Sequence, residues 1–155
     1  MLGLTIKRKI KQLKSDDAAT RASAVTALAD LGDPQAVPGL AEVLQDEERA
    51  LRVGAAQALG AIAHPSAVGP LVAALLAENT WEVRHEIVAA LRRIGDPTAV
   101  NELVLILESD RDAAAREFAA WALRSLQPGL VADLVRLTEF RVSVRRLAQV
   151  KAVIR

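Results

Sequence analysis

The sequence predicts an all-α solenoid in which helical hairpins stack side by side. Three observations favour this fold: an arginine recurs every 30 to 32 residues, apolar residues follow each arginine at helical spacing, and a proline-containing break follows each of the first four apolar stretches. No stretch shows the polar–apolar alternation that is typical of a strand. The recurring arginines are Arg21, Arg52, Arg84, Arg116 and Arg146.

The first helix of each repeat is identified by its apolar stripe. Residues four, seven and ten positions after the arginine are apolar in the first four units, and these positions share one helical face. Alanine stands six positions after every arginine, which predicts a close approach between neighbouring helices. The seventh positions are Leu28, Leu59, Leu91, Leu123 and Val153, and the alanines are Ala27, Ala58, Ala90, Ala122 and Ala152.

A break ends each first helix, and a second helix follows it. Glycine supplies a left-handed C-cap and proline fits the first turn of the next helix, as in Gly32-Asp33-Pro34 and Gly95-Asp96-Pro97. The second helices begin at a valine that has a leucine three residues later. These pairs are Val37 and Leu40, Val68 and Leu71, Val100 and Leu103, and Val131 and Leu134.

The repeated pattern Asp-x₃-Arg-x₅-Ala-Leu-Gly-x-Ile-Gly-Asp-Pro-x-Ala-Val-x₂-Leu resembles a HEAT repeat, in particular the short bacterial type named after phycobilin lyases. The resemblance implies a right-handed solenoid of about four and a half repeats, with the second helices on the concave side. We expect a single domain over 1–155, with a capping helix at 4–14, four repeats at 16–139 and a terminal half repeat at 140–155. Such repeats occur in scaffolds, lyase subunits and hydroxylases, so the fold does not fix the function.

Composition and charge restrict the class of protein. The absence of cysteine excludes disulfides and thiolate catalysis. No apolar run reaches the roughly 18 residues that a membrane span needs, and no signal-peptide pattern is present, so we expect a cytoplasmic protein without a membrane span. The net charge of +1 is the sum of +5 at 1–14, −9 at 15–139 and +5 at 140–155.

His85-Glu86 is the one candidate pair of metal ligands. It directly follows Arg84, and this motif is similar to that of deoxyhypusine hydroxylase, a HEAT-repeat di-iron enzyme whose His-Glu pairs follow the same arginine. Two irons need several such pairs from facing repeats, and the other repeats hold none at the equivalent positions. We therefore expect no metal and no cofactor, and interpret His85 as a surface histidine. The equivalent pairs are Ala22-Ser23, Val53-Gly54, Glu117-Phe118 and Leu147-Ala148.

The arginine ladder, Arg21, Arg52, Arg84, Arg116 and Arg146, has a structural and a functional interpretation. Acidic residues precede four of the five arginines by four or six positions. A guanidinium fork can bond to turn carbonyls and to carboxylates of adjacent repeats, which would hold the stacking angle. The alternative is a row of cations for phosphates or acidic peptides. We favour the structural role.

The second helices carry the predicted partner site. Aliphatic residues on their exposed face, bordered by carboxylates, would bind a protein or peptide partner, an amphipathic segment with apolar anchors and basic flanks. Packing between neighbouring repeats is an equally weighted alternative for these side chains. The partner-binding candidates are Glu42, Val72, Leu76, Glu102, Val104, Leu105, Glu108 and Val135.

The predicted function is therefore a non-catalytic protein-interaction scaffold that is not an enzyme. No serine has a histidine and a carboxylate at a spacing that would support nucleophilic catalysis. The first alternative is a subunit or fragment of a phycobilin-lyase-like enzyme, and the second is a nucleic-acid binder that uses the basic ends. The acidic body argues against nucleic acid. The aliphatic face of 140–155 also predicts end-to-end self-association.

Overall fold

The computed structural model describes residues 2–109 and 113–126, and within these ranges the chain is helical without any strand. Two short 3₁₀ turns, Pro34–Ala36 and Pro65–Ala67, precede the second helices of the first two repeats. No helix of the described ranges is long and apolar enough to cross a membrane. The α-helices are α1 (Leu2–Gln12), α2 (Ala18–Leu31), α3 (Val37–Val43), α4 (Arg49–Ile62), α5 (Val68–Ala77), α6 (Trp81–Ile94), α7 (Pro97–Ser109) and α8 (Ala113–Leu126).

The helices form two rows, which confirms the predicted stack of hairpins. The first helices α2, α4, α6 and α8 pack on one another in order, and each second helix also packs on the first helix of the following repeat. Each hairpin therefore contacts its neighbours in the stack, as solenoid repeats do. The predicted terminal half repeat at 140–155, together with Val135, Arg146 and the proposed self-association, lies outside the described residues.

The N-terminal helix α1 begins and ends two residues earlier than the predicted 4–14. Its apolar side packs against α2 with Ile6 buried, while Lys7 and Lys11 are exposed, and Leu13, directly after the helix, is also buried. The helix thus covers apolar surface of the first repeat and presents cations to solvent. This arrangement is the one that a capping helix requires.

The core lies between the two rows and runs continuously through the described repeats. It is built from leucine, valine and alanine, and the periodic leucines of both rows are almost completely inaccessible to solvent. Burial of one such side chain contributes roughly 1.5–3 kcal/mol, so the repeating stripe supplies most of the driving force for stacking. These leucines are Leu28, Leu59, Leu91 and Leu123 in the first helices, and Leu40, Leu71 and Leu103 in the second.

The first helices α4 and α6 approach each other most closely at Gly60. A Cβ atom added to Gly60 would lie 2.9 Å from Cα of Ala90 and 3.1 Å from its Cβ. Ala90 is one of the alanines six positions after the ladder arginines, and it is completely buried. Small side chains on both helices therefore permit nearly direct contact between their backbones.

One of the left-handed C-cap residues is not a glycine, so its backbone conformation is sterically unfavourable. Gly32 and Gly95 end α2 and α6 with φ of 61° and 65°, whereas Ala63 ends α4 with φ of 52°. We expect Ala63→Gly to stabilise the chain by about 1 kcal/mol, because glycine adopts this conformation without steric cost. Urea denaturation measures the difference.

Ala61→Gly is the matched control for this substitution. Ala61 is exposed in the last turn of α4, so glycine there should destabilise the chain by up to about 1 kcal/mol through the loss of helix propensity. Equal destabilisation by the two substitutions would contradict the assignment of strain to Ala63.

Candidate functional site

Arg21 and Arg52 join consecutive repeats. Arg52 donates from Nη1 to the carbonyl oxygens of Asp46 and Glu47, at 2.8 and 3.0 Å, and from Nε to Oε2 of Glu78 at 2.7 Å. Arg21 likewise donates to the carbonyl of Ser15 at 2.8 Å, and its Nε lies 2.8 Å from Oδ2 of Asp46. Each arginine therefore binds the turn before its own helix and the carboxylate of the next turn along the stack.

The Glu78 carboxylate is held by several donors at once. Its Oε1 accepts hydrogen bonds from the backbone N–H groups of Asn79 and Thr80, at 2.9 and 2.7 Å, in addition to the contact of Oε2 with Arg52. Burial alone raises the pKa of Glu78, but the hydrogen bonds from Arg52 and Thr80 outweigh it and bring the pKa below its ordinary value. The side chain is thus a structural anion that is fully occupied within the fold.

Arg84 makes a different contact. Its Cζ atom lies 3.4 Å from the ring centroid of Phe118 on α8, which is cation–π geometry, and only 8% of the residue is exposed. Its Nε has no hydrogen-bond acceptor in the structure. Burial lowers the pKa of Arg84, and the charge of Glu78 opposes that effect. The third ladder arginine therefore reaches across to an aromatic ring of the next repeat.

An aromatic cluster lies beside this contact on the outer face of the first-helix row. The indole of Trp81 is 4.6 Å from that of Trp121, and the imidazole of His85 is 4.9 Å from Trp81 and 5.1 Å from Trp121, measured between ring centroids. Trp81 is 50% exposed and His85 is also exposed. The cluster of Trp81, His85 and Trp121 thus presents aromatic surface to solvent where α6 meets α8.

Two exposed arginines, Arg92 and Arg124, continue the same face toward the C-terminal ends of the two helices. His85, Ala89 and Arg92 follow one another at i, i+4 and i+7 on α6, and Arg124 follows Trp121 by three residues on α8. An open groove of about 380 Å³ runs along Ala89, Arg92 and Arg93. The Arg93 side chain extends toward α4, where its Cδ atom would lie 3.4 Å from a Cβ added to Gly60. The ion pairs of the described residues leave the guanidiniums of Arg92 and Arg124 unpaired.

These groups form what we call the α6–α8 face: Trp81, His85, Trp121, Ala89, Arg92 and Arg124. Indole rings stack on planar conjugated molecules, and guanidinium groups bind carboxylates through paired hydrogen bonds. Ala89 leaves space between the aromatic cluster and the arginines. The arrangement is suited to a flat, conjugated ligand that carries carboxylates at one end.

Sequence reasoning did not identify this face. Arg92 and Arg124 occupy the same position of consecutive repeats, eight residues after Arg84 and Arg116. Trp81 and Trp121 occupy different positions of their repeats, so the repeat register gives no indication that they meet. The usable signal is composition, because the only two tryptophans of the chain lie on adjacent first helices.

The His85-Glu86 pair does not gain further metal ligands from the fold. No group of three or more histidine, aspartate or glutamate side chains within 2–109 and 113–126 is arranged to hold a metal ion. The His85 ring instead lies against two indoles. The donor set around this pair therefore does not fit the di-iron centre that the motif suggests.

The predicted partner ridge on the second helices separates into buried and exposed residues. Val72 is 4% exposed, which corrects its assignment: it is a core residue between repeats and cannot contact a partner in the folded chain. Leu105 is 63% exposed, and Leu76 and Val104 are half-buried. Leu76 and Leu105 occupy different positions of their repeats, so the three side chains do not form the regular stripe that we predicted.

The acidic border of that ridge is partly engaged. Glu42 forms an exposed ion pair with Lys14 at 2.9 Å, Glu102 is half-buried and Glu108 is exposed. Val135 lies outside the described residues.

Known proteins with related sequences or folds include enzymes. The chain is 44% identical over 61 residues to the bilin biosynthesis protein PecE of Mastigocladus laminosus, which covers 39% of this chain and 23% of that protein. Human deoxyhypusine hydroxylase, solved in complex with glycerol, is similar in structure with a TM-score of 0.63 and 26% identity. That match covers 81% of this chain and 44% of the hydroxylase chain.

A third similar structure is the complex of CpcE and CpcF of phycocyanin lyase from Nostoc sp. PCC7120. Its TM-score is 0.59 at 23% identity, and the match covers 85% of this chain and 56% of the matched chain. At this level of identity the likeness concerns the fold. The chain spans less than half the length of the hydroxylase and about a quarter of the length of PecE.

The prediction that this chain is not an enzyme is wrong, because its relatives include deoxyhypusine hydroxylase and a protein of bilin biosynthesis. The sequence argued only against catalysis by a serine or a cysteine nucleophile. An enzyme that uses neither, and that binds its substrate on a helical stack, is compatible with the same sequence. HEAT repeats match the sequence over residues 6–92 and again over 69–152, which together account for nearly the whole chain. The repeated hairpins, each with an arginine in its first helix, agree with this match, and the chain belongs to the HEAT-repeat family.

Proposed function

We propose that the chain is a subunit of an enzyme of the bilin-lyase type, and that it holds an open-chain tetrapyrrole on the α6–α8 face while a second protein completes the enzyme. The observation that carries this proposal is the combination of an indole pair, with Trp81 exposed and Trp121 half-buried, and two unpaired arginines on one surface. A bilin is a flat conjugated molecule with two propionate groups. Its rings match the indoles, and its carboxylates match the guanidiniums.

The charge distribution on the face gives the ligand an orientation. Arg92 and Arg124 lie near the C-terminal ends of α6 and α8, whereas the exposed Glu117 lies one turn before Trp121. Seven residues separate His85 from Arg92, which is a rise of about 10 Å along α6. We infer that the tetrapyrrole lies along the helices, with its propionates toward the arginines and its conjugated system over Trp81 and Trp121.

We infer that the chain acts with a protein partner, and its likeness in fold to a chain of the two-protein phycocyanin lyase complex supports this inference. The partner surface that we retain from the sequence is the second-helix region around Leu105, Leu76 and Val104, bordered by Glu102 and Glu108. It lies on the row of helices opposite the α6–α8 face. A partner bound there would leave the tetrapyrrole accessible for transfer.

The first test is titration of the purified chain with biliverdin, followed by bilin absorbance and by tryptophan emission. Trp81 and Trp121 are the only tryptophans, so emission reports on this face alone. We expect saturable quenching in the native chain. Arg92→Gln combined with Arg124→Gln should weaken binding about tenfold or more, because charge-assisted hydrogen bonds to the propionates are lost.

Lys7→Gln combined with Lys11→Gln is the control, since it removes two exposed positive charges from α1 and leaves the α6–α8 face unchanged. Binding in this variant should match that of the native chain. Absence of saturable bilin binding by the native chain would contradict the proposal, as would equal weakening in the two double variants.

A further inference from the structure

Arg84 differs from Arg21 and Arg52 in what its guanidinium contacts. Arg21 and Arg52 bind turn carbonyls and the carboxylates of Asp46 and Glu78, whereas Arg84 stacks on the Phe118 ring at 3.4 Å. No other described repeat has an aromatic residue at the position of Phe118. The equivalent residues are Ser23, Gly54 and Glu86.

Phe118 changes the way that two neighbouring first helices meet. Between α2 and α4 the corresponding position is Gly54, where an added Cβ would lie 3.4 Å from Val25. Between α6 and α8 the same position carries a phenyl ring with a guanidinium beneath it. The stacked pair occupies space that glycine leaves free for the neighbouring helix, so it acts as a spacer between α6 and α8.

The spacer is directly connected to the aromatic cluster. His85 follows Arg84 in the chain, and Trp121 lies one turn after Phe118 on α8. Any displacement of the Arg84–Phe118 pair therefore shifts Trp121 relative to Trp81 and His85, whose rings are within 5.1 Å of its own. Burial of Arg84 also reduces the number of positions that its side chain can occupy.

We propose that Arg84 is a positioning residue of the α6–α8 face: its stack on Phe118 sets the spacing of α6 and α8 and thereby orients the two indoles that bind the ligand. The consequence for ligand binding rests on the proposed function, but the orientation of the indoles does not. Arg84 itself is covered by Phe118 and does not contact the ligand.

The test uses a signal that needs no ligand. Two indoles 4.6 Å apart and inclined at 48° couple their electronic transitions, which produces an exciton couplet in the circular dichroism spectrum. We expect Arg84→Met to reduce this couplet at least twofold, because methionine has a comparable length but lacks the planar cation. Phe118→Leu should have the same effect from the other side of the contact, and Arg84→Lys should retain more of the couplet because it keeps the cation.

Arg21→Met is the matched control, because it removes a ladder arginine whose partners, Ser15 and Asp46, lie away from the turn that precedes Trp81. A role of Arg84 in stability alone would lower the melting temperature in both methionine variants and leave the couplet unchanged in the folded protein. An unchanged couplet in folded Arg84→Met and Phe118→Leu would overturn the inference. An equal loss of the couplet in Arg21→Met would also overturn it.

Biliverdin binding separates this inference from the proposed function. If the native chain binds biliverdin, Arg84→Met should weaken binding about tenfold, as expected when a binding surface is misaligned. A reduced couplet in a chain whose native form binds no bilin would support the positioning role and reject the tetrapyrrole. Unaltered biliverdin affinity in Arg84→Met would overturn the inference while leaving the function intact.

Discussion

Gly60→Val is expected to destabilise the chain by about 3 kcal/mol, the upper part of the usual range for overpacking a core. A side chain at Gly60 points at the backbone of Ala90, with only 2.9 Å between the new Cβ and Cα of Ala90. The obstacle is backbone rather than the end of a flexible side chain, so α4 and α6 must move apart to relieve it. Chemical denaturation of the purified variant gives the change in the free energy of unfolding.

Gly69→Ala is the matched control for the Gly60 substitution. Gly69 is also helical, in α5, but no atom lies within 4 Å of an added Cβ. Alanine there should stabilise the chain by up to about 1 kcal/mol through its helix propensity. If Gly60→Val and Gly69→Ala both left stability within experimental error, the close contact of α4 with α6 would be refuted.

Arg52→Ala is expected to cost about 3 kcal/mol, because it leaves the buried carboxylate of Glu78 without its cation. Two turn carbonyls, those of Asp46 and Glu47, lose their donor in the same variant. Arg49→Ala is the control on the same helix: Arg49 pairs with Glu82 at 2.8 Å, but both side chains are largely exposed. Its loss should change stability by about 0.5 kcal/mol or less.

The Arg52 substitution also changes the response to pH. The pKa of Glu78 in the folded chain is below its ordinary value of 4.5, so its contribution is complete above that pH and is lost as the pH falls through the folded-state value. The native chain should therefore lose stability on acidification below about pH 4.5 more steeply than Arg52→Ala. Denaturation midpoints measured between neutral and acidic pH would reveal this. Parallel pH curves for the two proteins would show that the Arg52–Glu78 pair contributes little.

The architecture was predictable because it depends on features that recur. The arginines, the apolar stripes and the proline breaks each repeat in register, so several independent signals indicate the same hairpin. The bounds of α2, α4 and α6 follow from residues whose effect is local, such as Gly32 and Gly95 in the left-handed conformation. The C-cap of α4 is Ala63 and not a glycine, but the equivalent positions of the neighbouring repeats predict where this helix ends.

The candidate site was not predictable because it depends on departures from the repeat. Trp81 contacts Trp121, and Arg84 contacts Phe118, only because α6 and α8 are adjacent, and no spacing rule links these positions. The burial of Val72 shows a second difficulty. An aliphatic residue on a second helix can pack against the neighbouring repeat or contact a partner, and both uses give the same sequence pattern. Distinguishing these uses requires the distance between helices, which Gly60 and Phe118 set differently at different places in the stack.

The tie between repeats also has an evolutionary consequence. Arg21 pairs with Asp46 and Arg52 with Glu78, so each bond joins an arginine to an acid 25 or 26 residues further along the chain. A duplicated segment of 31 or 32 residues therefore contains one ladder arginine as the donor and one turn carboxylate as the acceptor. Its insertion in register would preserve every existing tie and add one new tie. A gene encoding this stack could lengthen by tandem duplication without a compensating mutation at the junction.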